Sequence, residues 1–182
     1  MKHLITTTLV LFSFLAVGGG YYSPSIDQYD PVTGLYFKSV KLEKESGFLS
    51  SSDEAIVNIF IYDPSKDSGY YLFPENHEKQ IVALSFETAL KDGVVEFNNS
   101  FSSPVKNNTG IIDRQPKPTM LVVTRDSKKQ TDTFFIANKT TGNPKEIGKI
   151  HSKSNWHIDV KNSKIRVVRQ VGNKIEMESL AW

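Results

Sequence analysis

Two histidines near the end of the chain are the first candidates for chemistry. His151 and His157 are separated by five residues, and Asp159 follows His157 by two positions. On a strand, residues 157 and 159 point to the same side, so the carboxylate could orient the imidazole as a general base or a metal ligand. The alternative is a polar strand face in which Asp159 pairs with Arg166. Because no third ligand follows at a diagnostic spacing and no H-E-x-x-H pair is present, we predict neither catalytic residues nor a metal site.

Four carboxylates form a second group around Pro64 and Pro74: Asp63, Asp67, Glu75 and Glu78. Paired carboxylates can hydrolyse glycosidic bonds, which makes a hydrolase one alternative function. The same residues suit turns, since Asp and Pro favour them. Segment 63–67 lacks the glycine and the terminal glutamate of an EF-hand calcium loop. The sequence also has no G-x-S-x-G elbow, dinucleotide-binding glycine motif or P-loop, so it favours a non-enzymatic protein without a cofactor.

The third group is defined by charge. Residues 19–116 hold 8 Lys or Arg and 14 Asp or Glu, whereas residues 117–174 hold 13 and 4, so their net charges are −6 and +9. Six lysines of the basic region are therefore candidates for a face that binds an anionic partner: Lys128, Lys129, Lys149, Lys153, Lys161 and Lys164. The alternative is that the two regions neutralise each other in the fold or are simply solvated.

The partner of such a face would be an anionic macromolecule, such as lipid headgroups, lipopolysaccharide or an acidic glycan, or else a protein. We do not expect nucleic acid, because the basic region has few aromatic residues and because the N-terminus, described next, predicts export. A separate group of aromatic side chains crowds the start of the mature chain: Tyr21, Tyr22, Tyr29, Tyr36 and Phe37. They could line a binding patch or hold the lead-in segment against a sheet.

The N-terminus has the features of a signal peptide. A basic start, Met1 to His3, precedes an apolar run of 14 residues, 4–17, and small residues at Ala16 and Gly18 fit a cleavage site. A membrane-spanning helix needs roughly 20 apolar residues. We therefore predict a signal peptide over 1–18, a periplasmic or secreted location, and a mature chain without a transmembrane segment. Residues 17–20 resemble a lipoprotein box, but position 20 is glycine instead of cysteine.

The elements that position these residues are predicted to be strands. The chain has no cysteine, so disulfides and cysteine zinc sites are excluded. Its apolar segments are short, rich in β-branched and aromatic residues, and separated by turn formers. Residues 19–32 are predicted to be irregular, and a helical turn is considered at 87–91. The predicted strands are 34–42, 55–62, 69–73, 80–87, 93–98, 119–125, 132–138, 145–150, 155–160, 164–171 and 174–181.

The turn chemistry predicts a meander over residues 155–181. Gly172 and Asn173 fit a two-residue hairpin turn, which would place Arg169 opposite Glu176. A second turn at Asn162-Ser163 would place Asp159 opposite Arg166. Upstream, segment 99–118 is long for an unstructured loop. It is either a surface excursion within one mostly β domain, 19–182, or a linker between two halves.

These patterns predict an all-β fold, namely an antiparallel sandwich or partly open barrel. The second choice is a set of fragmentary propeller-like sheets, because segments 60–73 and 135–148 repeat a strand–turn–strand form. The function that best fits is an exported binding or interaction protein, for example an immunity-type protein that blocks a toxin. A structural envelope-associated protein and a carboxylate hydrolase are the alternatives.

Overall fold

A computed structural model describes residues 26–42, 55–76, 78–98, 104–110 and 114–182. The predicted signal peptide lies outside the described residues. Within them, every regular element is a strand: β1 (Asp27–Asp30), β2 (Leu35–Leu42), β3 (Ala55–Asp63), β4 (Ser68–Tyr71), β5 (Gln80–Lys91), β6 (Val94–Phe97), β7 (Val105–Lys106), β8 (Thr119–Asp126), β9 (Thr131–Asn138), β10 (Gly142–His151), β11 (Asn155–Asp159), β12 (Lys164–Val171) and β13 (Lys174–Ala181). No helix of this described part is long and apolar enough to cross a membrane.

The strands form three open sheets. The first sheet has the order β1-β2-β3-β4, the middle sheet β10-β9-β8-β5-β6, and the third sheet β13-β12-β11-β7. Neighbouring strands are antiparallel except β7 and β11, which pair in parallel. The predicted antiparallel all-β class is confirmed, and the sheets stack instead of closing into a barrel.

The middle sheet is covered on both faces, and β8 shows why. Met120 and Val122 belong to one core with the first sheet, whereas Leu121 and Val123 belong to a second core with the third sheet. All four residues are fully buried. A strand that is buried on both faces needs a continuous apolar run instead of alternation, and the run from Met120 to Val123 meets that need.

Most predicted strands are confirmed to within three residues, and three predictions of secondary structure were wrong. Residues 27–30 form β1 within the segment that we predicted to be irregular, and β7 lies in the predicted loop. The helical turn considered at 87–91 is the end of β5. Asp92 and Gly93, with φ of 51° and 74°, make the two-residue turn into β6. Positive φ at both central positions is the requirement of a type I′ hairpin.

The meander of β11, β12 and β13 is confirmed, including the pair Arg169 and Glu176. The predicted register at the first turn was wrong by two residues, because Asp159 lies opposite Lys164. The turn has four residues, 160–163, and Ser163 has a φ of 50°. The Asp159 side chain accepts hydrogen bonds from Asn162 within this turn, which favours the longer loop.

Segment 99–118 contributes to two sheets where it is described. Ile158 N donates to Pro104 O, and Val95 N donates to Asn108 O, both at 2.8 Å. Strands β5 and β6 precede this segment and β8 to β10 follow it, yet all five lie in the middle sheet. The segment therefore connects strands that share a sheet.

Candidate binding face

The outer side of the first sheet carries a group of aromatic side chains. Tyr29, Tyr36 and Tyr62 face one another across β1, β2 and β3. Phe60 and Tyr71 form the next row, across β3 and β4. Because successive residues of a strand alternate between faces, the intervening residues of these strands point into the core. We call Tyr29, Tyr36, Phe60, Tyr62 and Tyr71 the tyrosine face.

The rings of the tyrosine face contact each other and remain open to solvent. The centroids of Tyr29 and Tyr36 are 4.9 Å apart, and those of Phe60 and Tyr71 are 5.3 Å apart. Tyr29, Tyr36 and Tyr71 are 49%, 47% and 55% exposed. A single exposed aromatic residue is ordinary, but a cluster of large exposed aromatics on one sheet face is a candidate interaction site.

A glycine on β4 shapes this face. Gly69 lies opposite Tyr62, and the Phe60 ring covers it so closely that a Cβ at position 69 would lie 2.3 Å from Phe60 Cζ. Glycine in a strand often marks such a close approach. The absence of a side chain at 69 lets the Phe60 ring approach the backbone of β4 closely.

Charged groups at the β3–β4 turn and on β1 border the tyrosine face. The Tyr62 hydroxyl donates to Asp67 at 2.7 Å, and this bond, with desolvation, raises the pKa of Tyr62. Hydrogen bonds from Lys66 and Ser65 lower the pKa of Asp63 to about 2. Lys38 pairs with Asp27 at 2.6 Å. The tyrosine face is therefore an aromatic centre with a border of polar and ionisable side chains.

The four candidate carboxylates do not converge. Asp63 and Asp67 flank the turn before β4, whereas Glu75 and Glu78 follow β4 and line a different groove of about 450 Å³. Asp63 does line a pocket of about 400 Å³ with hydroxyl groups of Thr33, Ser65 and Thr140. Its carboxylate is held by Ser65 and Lys66, so it acts as a turn-stabilising group.

In the histidine–aspartate pair, the aspartate has a structural role. Asp159 accepts hydrogen bonds from Asn107, Asn162 and Arg166, which hold its pKa well below the usual range. His157 lies opposite Arg166. Burial and the nearby Lys106 lower the pKa of His157. The structure thus places Asp159 as the organiser of a turn, with Arg166 reaching it at 3.1 Å from a diagonal position.

The six candidate lysines fall into two groups. Lys128 and Lys129 lie in the β8–β9 turn and Lys153 in the β10–β11 turn, and Ser152 N donates to Gln130 O at 2.9 Å between these turns. Lys161 and Lys164 lie at the opposite end of β11. Lys149, on β10, pairs with Glu146 at 2.9 Å. The structure therefore does not gather the six lysines on one face, but it does bring three of them to one end.

Sequence reasoning missed most of the tyrosine face. Of its members, only Tyr29 and Tyr36 were among the aromatic candidates; Tyr21 and Tyr22 lie outside the described residues, and Phe37 points into the core. The signal that was available is the alternation in β3, where Ile59 and Ile61 are buried and Phe60 and Tyr62 point outward. Phe60 and Tyr62 lie beside Tyr29 and Tyr71 because of the order of the strands in the sheet. The alternation within a single strand does not reveal that order.

Two ion pairs that contain a fully buried carboxylate were also missed. Lys139 and Asp30 have no exposed side-chain surface and meet at 3.0 Å, which joins the middle sheet to the first. Glu87 is equally buried and accepts two hydrogen bonds from Arg114. In the sequence these residues look like ordinary turn or strand-end charges. They act as structural pairs, because buried charges need partners.

Among the described residues, no group of three or more histidine, cysteine or acidic side chains is placed to hold a metal ion. The tyrosine face is thus the best-defined candidate for a site, and its side chains suit contact more than reaction. No protein-family model matches the chain, and comparisons with curated proteins and with solved structures find no similar protein.

Proposed function

We propose that this chain is an exported, non-enzymatic binding protein that presents the tyrosine face to a protein partner. The observation that carries the proposal is the grouping of five aromatic side chains on one open sheet face, three of them about half exposed. Tyrosine and phenylalanine are enriched at protein interfaces, and tyrosine is prominent among the residues that dominate binding energy.

The chemistry of the face indicates the kind of partner. The first sheet lies entirely within the acidic region 19–116, whose net charge is −6. Tyrosine rings attract guanidinium and ammonium groups through their faces. The expected partner therefore has a surface on which arginine or lysine side chains adjoin apolar groups.

Affinity capture with matched variants tests this binding. The purified mature protein, Tyr36→Ser/Tyr71→Ser and Tyr36→Phe/Tyr71→Phe are immobilised in parallel, and proteins captured from the host envelope and medium are quantified. A partner should be retained by the wild type and the phenylalanine variant, and fall at least about tenfold with the serine variant. Equal capture by all three proteins would contradict the proposal. Hydrogen exchange with the captured partner should protect β2 and β3.

The export part of the proposal has its own test. Residues 1–18 carry a basic start, an apolar run and small residues before the expected cleavage point. N-terminal sequencing of the protein from its host should begin near position 19. An intact Met1 on protein from the cytoplasm would contradict export without bearing on the tyrosine face.

A second candidate is an anionic partner at the end that carries Lys128, Lys129 and Lys153. The observation that favours it is the hydrogen bond between the two turns that bear these lysines. Binding to anionic vesicles should weaken with salt, since exposed charges act over about 8 Å at physiological ionic strength. Lys128→Glu/Lys129→Glu/Lys153→Glu should reduce it, and Lys161→Glu/Lys164→Glu should not. Equal effects of the two variants would contradict this candidate.

A further inference from the structure

The third sheet ends in a two-stranded ribbon that projects beyond its neighbours. β11 pairs with β12 only as far as Val168, while β12 and β13 stay paired up to the turn at Gly172 and Asn173. Every residue from 169 to 179 is exposed. We call residues 168–179 the terminal ribbon. An isolated two-stranded ribbon is marginally stable in water, so its projection calls for a further contact.

The two faces of the terminal ribbon differ, since one is mainly apolar and the other combines charged residues with Val171. One face carries Val168, Ile175 and Met177, and the last two are 65% and 66% exposed. On the other face Arg169 lies 3.6 Å from both Glu176 and Glu178. The face with Arg169 continues into the buried Val167 and Leu180, so the face with Ile175 and Met177 is the one that points away from the core.

β13 is also an edge strand, since among the described residues it pairs with β12 alone. The pair that closes a two-residue turn, Val171 and Lys174, exchanges backbone hydrogen bonds. Bonding then alternates along the strand, so Ile175, Met177 and Ser179 direct their N–H and C=O groups to the free edge. Such an edge is a template for another strand, and no proline or bulge interrupts it.

We propose that the free edge of β13 pairs antiparallel with the same edge of a second copy of this chain. In the register that places Ile175 opposite its own counterpart, Lys174 of each copy faces Glu176 of the other. Opposite charges at facing positions favour pairing, and like charges disfavour it. Shifting the register by two residues places Glu176 opposite itself, although it also places Lys174 opposite Glu178, and shifting it by four places Glu176 opposite Glu178. Of these three registers, the first is the one in which every facing pair of charges has opposite signs, so the charge pattern favours that symmetric dimer.

This dimer joins two four-stranded sheets into one of eight strands. It brings the exposed Ile175 and Met177 side chains of both copies together on one face. The contact involves few residues, so the dimer should be weak, with a Kd on the order of 100 µM. It uses the third sheet and leaves the tyrosine face open, so its failure and the failure of the proposed function are distinguishable.

Charge reversal tests the register. Sedimentation of the mature protein over a concentration series should show a monomer–dimer equilibrium. Lys174→Glu and Glu176→Lys should each weaken it about tenfold or more, because each places like charges opposite one another. The double variant should recover association, and so should a mixture of the two single variants. A wild type that stays monomeric near 1 mM, or single variants that associate like the wild type, would overturn the proposal.

Cross-linking provides a second measurement, since the chain has no cysteine of its own. Facing residues of a hydrogen-bonded antiparallel pair have Cα atoms about 5.5 Å apart, within the range that a disulfide spans. Ile175→Cys should form a covalent dimer under mild oxidation much faster than Gln170→Cys, which lies on the same face but on β12. Equal rates for the two variants would show that β13 edges do not meet.

Discussion

Lys139 shows how single charged residues hold the layers of this protein together. Its ammonium group donates to Asp30 Oδ2 at 3.0 Å and to Glu87 O at 2.7 Å, and it lies 5.2 Å from the centre of the Phe86 ring. Asp30 belongs to the first sheet and Lys139 follows the last residue of β9. Burying this pair is costly, but removing one partner costs more, because the other charge is then left without compensation.

We predict that Lys139→Met destabilises the protein by about 3–5 kcal/mol in urea unfolding. The buried Asp30 carboxylate would lose its cation, while the methionine approximately preserves the packed volume. Lys38→Met is the matched control, since it removes a cation from the exposed pair with Asp27 and should cost at most about 1 kcal/mol. Asp30→Asn combined with Lys139→Met should be less destabilised than Lys139→Met alone. Similar costs for Lys139→Met and Lys38→Met would contradict this account.

At the scale of elements, the β3–β4 hairpin is built to display aromatic rings. Its turn is held by Asp63, which accepts hydrogen bonds from Ser65 and Lys66. Asp67 has a φ of 47° and receives the Tyr62 hydroxyl. These local contacts set the register that places Gly69 beneath Phe60. The hairpin thus links turn chemistry to the shape of the tyrosine face.

We predict that Gly69→Ala destabilises the protein by about 1–3 kcal/mol. The new Cβ would lie 2.3 Å from Phe60 Cζ and 2.8 Å from the Ile61 carbonyl oxygen, so both the ring and the strand must shift. Urea unfolding measures the cost. Phe60→Ala in the Gly69→Ala background should cost less than the sum of the single changes, because the ring contact is removed. Additive costs would show that the close approach does not strain the hairpin.

At the scale of the whole molecule, the middle sheet lies between two hydrophobic cores and contributes side chains to both. Consecutive residues of β8 therefore both matter for stability, unlike those of a strand with one solvent face. We predict that Leu121→Ala costs about 2–5 kcal/mol and that Val122→Ala also costs well over 1 kcal/mol, since both side chains are fully buried. Met177→Ala on the exposed terminal ribbon is the control and should change monomer stability by less than about 0.5 kcal/mol. A small effect at either position 121 or 122 would contradict the three-layer arrangement.

Most strands, although not β1 or β7, could be predicted from the sequence, together with some of their connections. Strand positions follow from local signals, namely short β-branched and aromatic segments bounded by turn formers. The hairpin at Gly172 and Asn173 was predictable with its register, because a two-residue turn leaves no freedom in pairing. The turn before β12 was not, because its four-residue form depends on how the Asp159 side chain accepts hydrogen bonds from Asn107 and Asn162.

Features that depend on which sheets pack together follow from the three-dimensional fold and not from local sequence. The fold separated Lys161 and Lys164 from the other candidate lysines, since β11 carries them to the opposite end of the third sheet. It gathered the tyrosine face from four strands and paired Lys139 with a carboxylate 109 positions away in the chain. Periodicity reports which side of a strand is apolar, but not which layer will cover it. That choice is made by packing between distant segments, and it is packing that turned scattered aromatic residues into a candidate binding face.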